Sequence, residues 1–536
     1  MPVSQAKRPA RRLLAAASVA AALVLAACGG GGTGSTPTAS GNTPQRGGTL
    51  TVLEGSGFAG AWPAGLDPAT NTNGAADQSY MESIYGQLFE LDEHGKIVPD
   101  LATGYELADG GKTVVIKLRH GVKFTDGTPF DAEAVAWNIN RDLQSPCTCR
   151  PTWPVTSVTA TDPYTVTIKL SRVFAPIISS FIDSNANWIA SPTAVQKMGE
   201  KQFALTPVGA GPFKVVSDTL SSVLVLERNP DYWQKGHPYL DRLIFKSVGG
   251  DEAALEAMEA GEGQAYEGMS TLRLIEQAQS SGKFTVTKQL STSPYDIQFN
   301  TAIPPFNDIR AREAIYYATN VAEINRAIFQ GQFQLTQSFT GPGGLFYMPK
   351  IKGYPGYDLA KAKALVKELG GLDVHLGTIN VLVAQETIQA LQTQWAKAGI
   401  HTTIDSYDLA ALISQFQSGK WQAMLQTAGA FDPAVGVGVG FRFSSQSPFS
   451  GVHDPHLDDL LNQAASTLDM NVRAKYYREA AEYIAQKFYG PFFFAFSGAN
   501  VALKGVHGPG LTTAMPAVVV NPDIPWEDVW TTIRSS

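Results

Sequence analysis

With 48 acidic and 41 basic side chains among 536 residues, spacing rather than number decides which of them could do chemistry. Acyl transfer through a serine would call for G-x-S-x-G at a strand-to-helix turn, and zinc hydrolysis for H-E-x-x-H on one helix face. Neither motif occurs in the chain. Gly111-Lys112-Thr113 ends like a phosphate loop, but Glu106 stands where the first glycine is required and a strand-like run follows where a helix is needed. Of the eight histidines only His453 and His456 are close, and around Asp454-Pro455 they read as a loop and a helix start rather than a metal site. Cys147 and Cys149 lie two apart in Pro-Cys-Thr-Cys-Arg. A local disulfide on a surface loop is the leading reading, although so tight a ring is strained, and free thiols stand close behind it. No catalytic residue, cofactor or metal is expected. A secreted hydrolase with an unrecognised active site is the rival of another class.

Binding makes better use of what is visible, since a cleft needs only aromatic walls and a few polar groups. Hydrophobic residues make up 44% and charged residues 17%, the composition of a globular protein. The net charge is −7 without a basic block, which argues against a nucleic-acid partner. Lys7, Arg8, Arg11 and Arg12 precede an apolar run over 13–27, the charge and length of a secretory signal. Removing residues 1–27 takes away four basic groups and leaves a net −11. Residues 28–47, dominated by Gly, Ser, Thr, Pro and Asn, read as a flexible tether.

The elements that must position a site follow from periodicity. A strand opens the fold at 48–53, and Gly209, Gly211 and Pro212 form a turn for which glycine's positive φ is suited. The apolar runs 213–216 and 223–226 then pair as a hairpin, which Asn229-Pro230 ends. Asp131 caps a helix carrying Val135, Ile139 and Leu143 on one face. From 358 to 427 element types alternate: a helix capped by Asp358 and stopped at Gly370-Gly371, a strand over 379–383, a helix through Ile388, Leu391 and Trp395, a strand over 401–406, a helix over 409–416 and a strand over 421–426. Such alternation implies a parallel α/β sheet, which binds ligands beyond the carboxyl ends of its strands. The loop 427–433 is therefore expected at a cleft.

Three blocks carry a resemblance. GAGPFKVV…LERNPDYW…PYLDRLIF over 209–245, LRHGVKFTDGTPFDAEAVAWNI over 118–139 and FNTAIPPFNDIRAREAIYYATN over 299–320 resemble the family-5 extracellular solute-binding proteins of peptide- and nickel-type ABC importers. The resemblance implies a two-lobed periplasmic-binding-protein-like α/β fold with hinge strands and an extra subdomain in the first lobe. Lobe I would be 48–297 plus 497–536, and lobe II 298–496. It also implies a monomer without enzymatic activity, which captures a small solute, a peptide or peptide-like molecule, and delivers it to the permease subunits of an ABC importer. An oligosaccharide or a metal chelate is the alternative ligand. Leu25-Ala26-Ala27-Cys28 resembles a lipobox, so that Cys28 would anchor the chain by lipid to the outer face of the cell membrane.

Phe58, Trp62, Trp188, Tyr295, Phe431 and Asp432 are the ligand-contact candidates, each near a lobe crossing or a strand end. Peptide-binding members of the family carry an aspartate a few residues ahead of an Asp-Pro pair, where it holds the peptide's α-amine. Here that position falls on Gly429 or a neighbour, which leaves Asp432 as the carboxylate of the loop.

Overall fold

The computed structural model describes residues 43–55, 62–71, 77–145, 151–427, 429–436, 438–496, 498–518, 521–522 and 524–533. All elements below belong to one compact unit, Pro44–Ser536. Cys28, Phe58, Cys147 and Cys149, and with them the lipid anchor and the disulfide, lie outside the described residues.

Two large mixed sheets organise the fold. In the seven-stranded sheet the order is Phe284–Lys288, Ala499–Leu503, Ala265–Met269, Thr49–Gly55, Arg242–Val248, Val223–Arg228, Phe213–Thr219. Thr49–Gly55 runs parallel to both of its neighbours. Its alternation explains its place: Leu50 and Val52 enter a core with Leu224, Leu243 and Phe245, whereas Leu53 packs beneath the helices Asp251–Glu259 and Leu272–Ser280. Each such side chain contributes about 1.5–3 kcal/mol when fully buried.

The six-stranded sheet has the order Gln334–Leu335, Phe492–Ala495, Pro294–Phe299, Ala423–Thr427, Leu372–Ile379, Ile400–Tyr407. Its last three strands are parallel, as the alternation of elements requires. The strand expected at 379–383 begins earlier, at Leu372, and the helix Leu382–Ala396 already occupies its far end. Leu372, Val374 and Leu376 point inward and carry the two-residue period, while the β-branched Ile379, Val381 and Val383 mark the turn into the helix. The helix caps expected at Asp131 and Asp358 accept a first-turn N–H at 3.0 and 3.1 Å, and Asn320 caps a further helix in the same way at 3.0 Å.

A four-stranded antiparallel sheet, Ala102–Ala108, Thr113–Leu118, Thr165–Leu170 and Val155–Asp162, packs on the helix Ala132–Leu143. Gly209 and Gly211 are not in the positive-φ region. Glycine is needed there for close approach instead, because a Cβ would lie 2.3 Å from the Ile84 carbonyl oxygen at Gly209 and 2.6 Å from the Ile84 carbonyl carbon at Gly211.

The chain passes from the seven-stranded to the six-stranded sheet between Lys288 and Pro294, and back between Ala495 and Ala499. Pro294–Phe299 lies whole in the six-stranded sheet, so the first passage comes ahead of the boundary expected at 297. The first passage is packed without slack. Gly341 and Gly343 donate N–H groups to the Thr292 and Ser291 carbonyls at 3.0 and 2.9 Å. A Cβ on either glycine would sit within 2.3 Å of a backbone oxygen.

Candidate functional site

The loop after Ala423–Thr427 leaves its own sheet and packs into the core of the four-stranded sheet, where Ala430, Phe431 and Val435 join Phe181 and Ile182. The contact is polar at its edge. Asp183 accepts the Phe431 N–H at 3.1 Å and the Asp432 N–H at 3.4 Å, and burial pushes its carboxyl up to about 7. Asp432 is fully buried and fully engaged: Arg473 Nη2 donates to both carboxylate oxygens at 2.9 Å, the Ser179 hydroxyl to Oδ2 at 2.7 Å and the Ala434 N–H to Oδ1 at 3.1 Å. It is therefore the anion of a buried ion pair. Gly429 leaves no room for any side chain, because a Cβ there would stand 1.8 Å from Ser293 Oγ and 2.7 Å from Ser293 Cα.

The aromatic candidates among the described residues, Trp62, Trp188, Tyr295 and Phe431, are placed in cores. Trp62 is buried, donates Nε1–H to Asp218 at 2.9 Å, and meets the Tyr80 ring edge-on at 4.6 Å. Trp188 belongs to the same core. Tyr295, at the start of the strand that follows the first passage, lies against Phe494 and Phe496 at 5.7 and 6.1 Å between ring centres. Trp62 and Trp188 thus share one core, Phe431 joins a second with Asp432 beside it, and Tyr295 a third. At His453 and His456 the intervening Asp454 caps the helix Pro455–Ser466 and takes the Tyr483 and Tyr489 hydroxyls at 3.0 and 2.6 Å. Among the described residues no group of three His, Cys, Asp or Glu side chains could hold a metal. A surface cavity of about 310 Å³ at the start of the helix Ala132–Leu143 is lined by Thr128, Asp131, Trp137 and Pro192, and includes none of these strand-end residues.

Two carboxylates escaped the reading of the sequence. Glu54 and Glu267 are in-register partners near the carboxyl ends of the parallel strands Thr49–Gly55 and Ala265–Met269. Both are about 5% exposed or less. Ser79 Oγ donates to Glu267 Oε2 at 2.7 Å, and Tyr80 hydrogen-bonds Glu54. Oε1 of each has no hydrogen-bond partner among the described residues. Burial, then the Glu267 and Asp77 charges, push the Glu54 carboxyl well above its usual range, and burial pushes that of Glu267 up to about 7. One residue on, Gly268 lies so close to Gly498 of the return passage that a Cβ on Gly498 would be 2.9 Å from its backbone. An acid next to the end of a strand, in Leu-Thr-Val-Leu-Glu-Gly, was the signal available.

Residues 96–447 match the family described as bacterial extracellular solute-binding proteins, family 5 Middle. The chain belongs to that family. Family-5 chains are binding proteins, and this one is an extracellular solute-binding protein. The glutathione-binding protein GsiB of Shigella flexneri is 28% identical over 447 residues, covering 79% of this chain and 85% of its own. GsiB of Escherichia coli K12 matches to the same extent, 28% over 447 residues. Among solved structures, the periplasmic binding protein DppA of Helicobacter pylori in complex with the peptide STSA superposes with TM-score 0.77 at 24% identity, covering 91% of this chain and 99% of that one. The binding protein AgaA in complex with agropinic acid, from A. tumefaciens R10, gives 0.76 at 22% identity with 91% and 99% covered. These likenesses establish the two-lobed α/β fold.

Proposed function

We propose that this chain is the receptor of an ABC importer, closing two lobes around a peptide or peptide-like solute of di- to tetrapeptide or glutathione size. The observation that carries the reading is the pair of chain passages between the seven- and six-stranded sheets, the topology of a hinge. The lobes would meet at the loop 427–433, through Ser179 and Asp183 on one side and Phe431 and Asp432 on the other. Binding then acts as a population shift from open to closed, with no reaction. The relatives that bind glutathione and the neighbours that hold peptides support the solute class. We further propose that Cys28 carries the lipid anchor, that the receptor works as a monomer on the outer face of the membrane, and that Cys147 and Cys149 form a local surface pair.

Mass spectrometry of the solute that co-purifies with the protein, followed by a thermal-shift screen of dipeptides, glutathione, opines, oligosaccharides and nickel chelates, tests the reading. A peptide-like solute recovered intact and raising Tm is expected. A hydrolysed solute, or a response confined to sugars or chelates, would overturn it. Cys28→Ser should move the protein from the membrane to the soluble fraction.

A further inference from the structure

The loop 427–433 offers a solute no free carboxylate: Asp432 is neutralised by Arg473, and Gly429 is pressed against Ser293. Two buried acids with open oxygens lie side by side on the other large sheet. Asp67, by comparison, faces Arg141 at 2.6 Å, and Asp296, although buried without a hydrogen bond among the described residues, has the Arg442 charge acting on it. Among the described residues no lysine or arginine charge is felt by either acid: Glu54 feels Glu267, Asp77 and Tyr80, and Glu267 is bonded by Ser79.

Their placement is that of a binding site. Both stand near the carboxyl ends of adjacent parallel strands, where α/β sheets receive ligands. In-register neighbours in a sheet project from the same face, so the two carboxyl groups share one patch. Glu267 is one residue from the glycine contact at the return passage, the floor of any cleft between the sheets. Two acids whose second oxygens lack a donor, in a site nine-tenths closed to water, are half of a charge-assisted contact. Two carboxylates without a third ligand suit an organic cation better than a calcium or zinc ion, which takes more donors.

We infer that Glu54 and Glu267 receive a cationic nitrogen of the solute, an ammonium or guanidinium group. This rests on the receptor reading above and adds the part of the ligand that the lobe I sheet recognises. Unliganded, burial and the neighbouring like charge favour the protonated form of the pair; a bound cation favours the ionised form, so that a proton leaves to solvent. Asp77 and Tyr80, on or beside the helix Gln78–Tyr85, and Tyr266, on the strand of Glu267, are the other titratable groups that interact with the pair among the described residues.

The test uses the mature protein with glutathione, Met-Leu and Ala-Lys, each against its N-acetylated counterpart, and Ala-norleucine as the partner of Ala-Lys that lacks the side-chain ammonium. In calorimetry, removing the cation from the best-binding probe should weaken wild type about tenfold or more, while Glu54→Gln and Glu267→Gln should bind charged and neutral forms within about threefold of each other. Below pH 7, titration in two buffers of different ionisation enthalpy should show proton release for wild type with the cationic probe, and none for the double variant Glu54→Gln/Glu267→Gln. Melting curves of both variants keep a folding defect distinguishable. If the counterparts lacking the cation bind wild type equally well, or the Gln variants keep the preference for it, the pair is a buried structural feature and the inference falls while the receptor stands. If no probe binds wild type, the peptide-type receptor reading falls and takes this inference with it.

Discussion

Asp432 and Glu54 are both buried carboxylates beyond or near the ends of strands, one belonging to the six-stranded sheet and one to the seven-stranded sheet. They are treated oppositely. Asp432 has its counter-ion, a hydroxyl and a backbone donor, and the loop that carries it is locked into a neighbouring core. Glu54 has one hydroxyl, an acid for a neighbour and an oxygen without a partner among the described residues. A charge that the fold has already paired holds the fold; one left beside a like charge costs stability until something else arrives.

The sharpest way to break this contrast is to remove the counter-ion. Arg473→Met should destabilise the protein by about 3–5 kcal/mol in chemical denaturation, because Asp432 is left charged and buried. The double variant with Asp432→Leu should recover much of that loss; an equal or additive cost in the double would show that the pair is not the source. The opposite sign is expected on the other sheet. The Glu267 carboxyl is raised to about 7 in the fold, so the stability associated with it is fully present below the unfolded value near 4.5 and is lost as pH rises through 7. Glu267→Gln should therefore be more stable than wild type at pH 8 by about 3 kcal/mol and have a flatter pH dependence, read from urea midpoints between pH 5 and 8.

Gly429→Ala sharpens the comparison sterically. With Ser293 in the way, about 1–3 kcal/mol of stability should be lost, and Ser293→Gly in the same chain should return part of it. The smallest effect belongs to a site of neither kind: Asp358→Ala removes only a helix cap and should cost about 1 kcal/mol, measured as a shift in denaturation midpoint.

The two sites also differ in how far the sequence exposes them. Helix starts are local, so Asp131, Asn320 and Asp358 could be read from three or four residues. The loop 427–433 was placed correctly at a strand end because the alternation of elements over 358–427 fixes direction even where the strand at 372 was set late. Neither the Asp432–Arg473 pair nor the Ser179 contact is visible in that way, since their partners lie 41 and 253 residues distant. Glu54 and Glu267 are 213 residues apart by number and meet only through strand register. Trp62 and Trp188 have the size and position of cleft walls, but an indole satisfies a core as readily, and which of the two holds depends on packing that no local pattern records.

Closure of two lobes on a solute is tested most directly by small-angle scattering of the mature protein with and without whichever probe raises Tm most. The bound protein should have a smaller radius of gyration than the free one, with the change abolished when the probe is omitted. Superimposable curves at saturating solute would contradict a receptor that works by shutting.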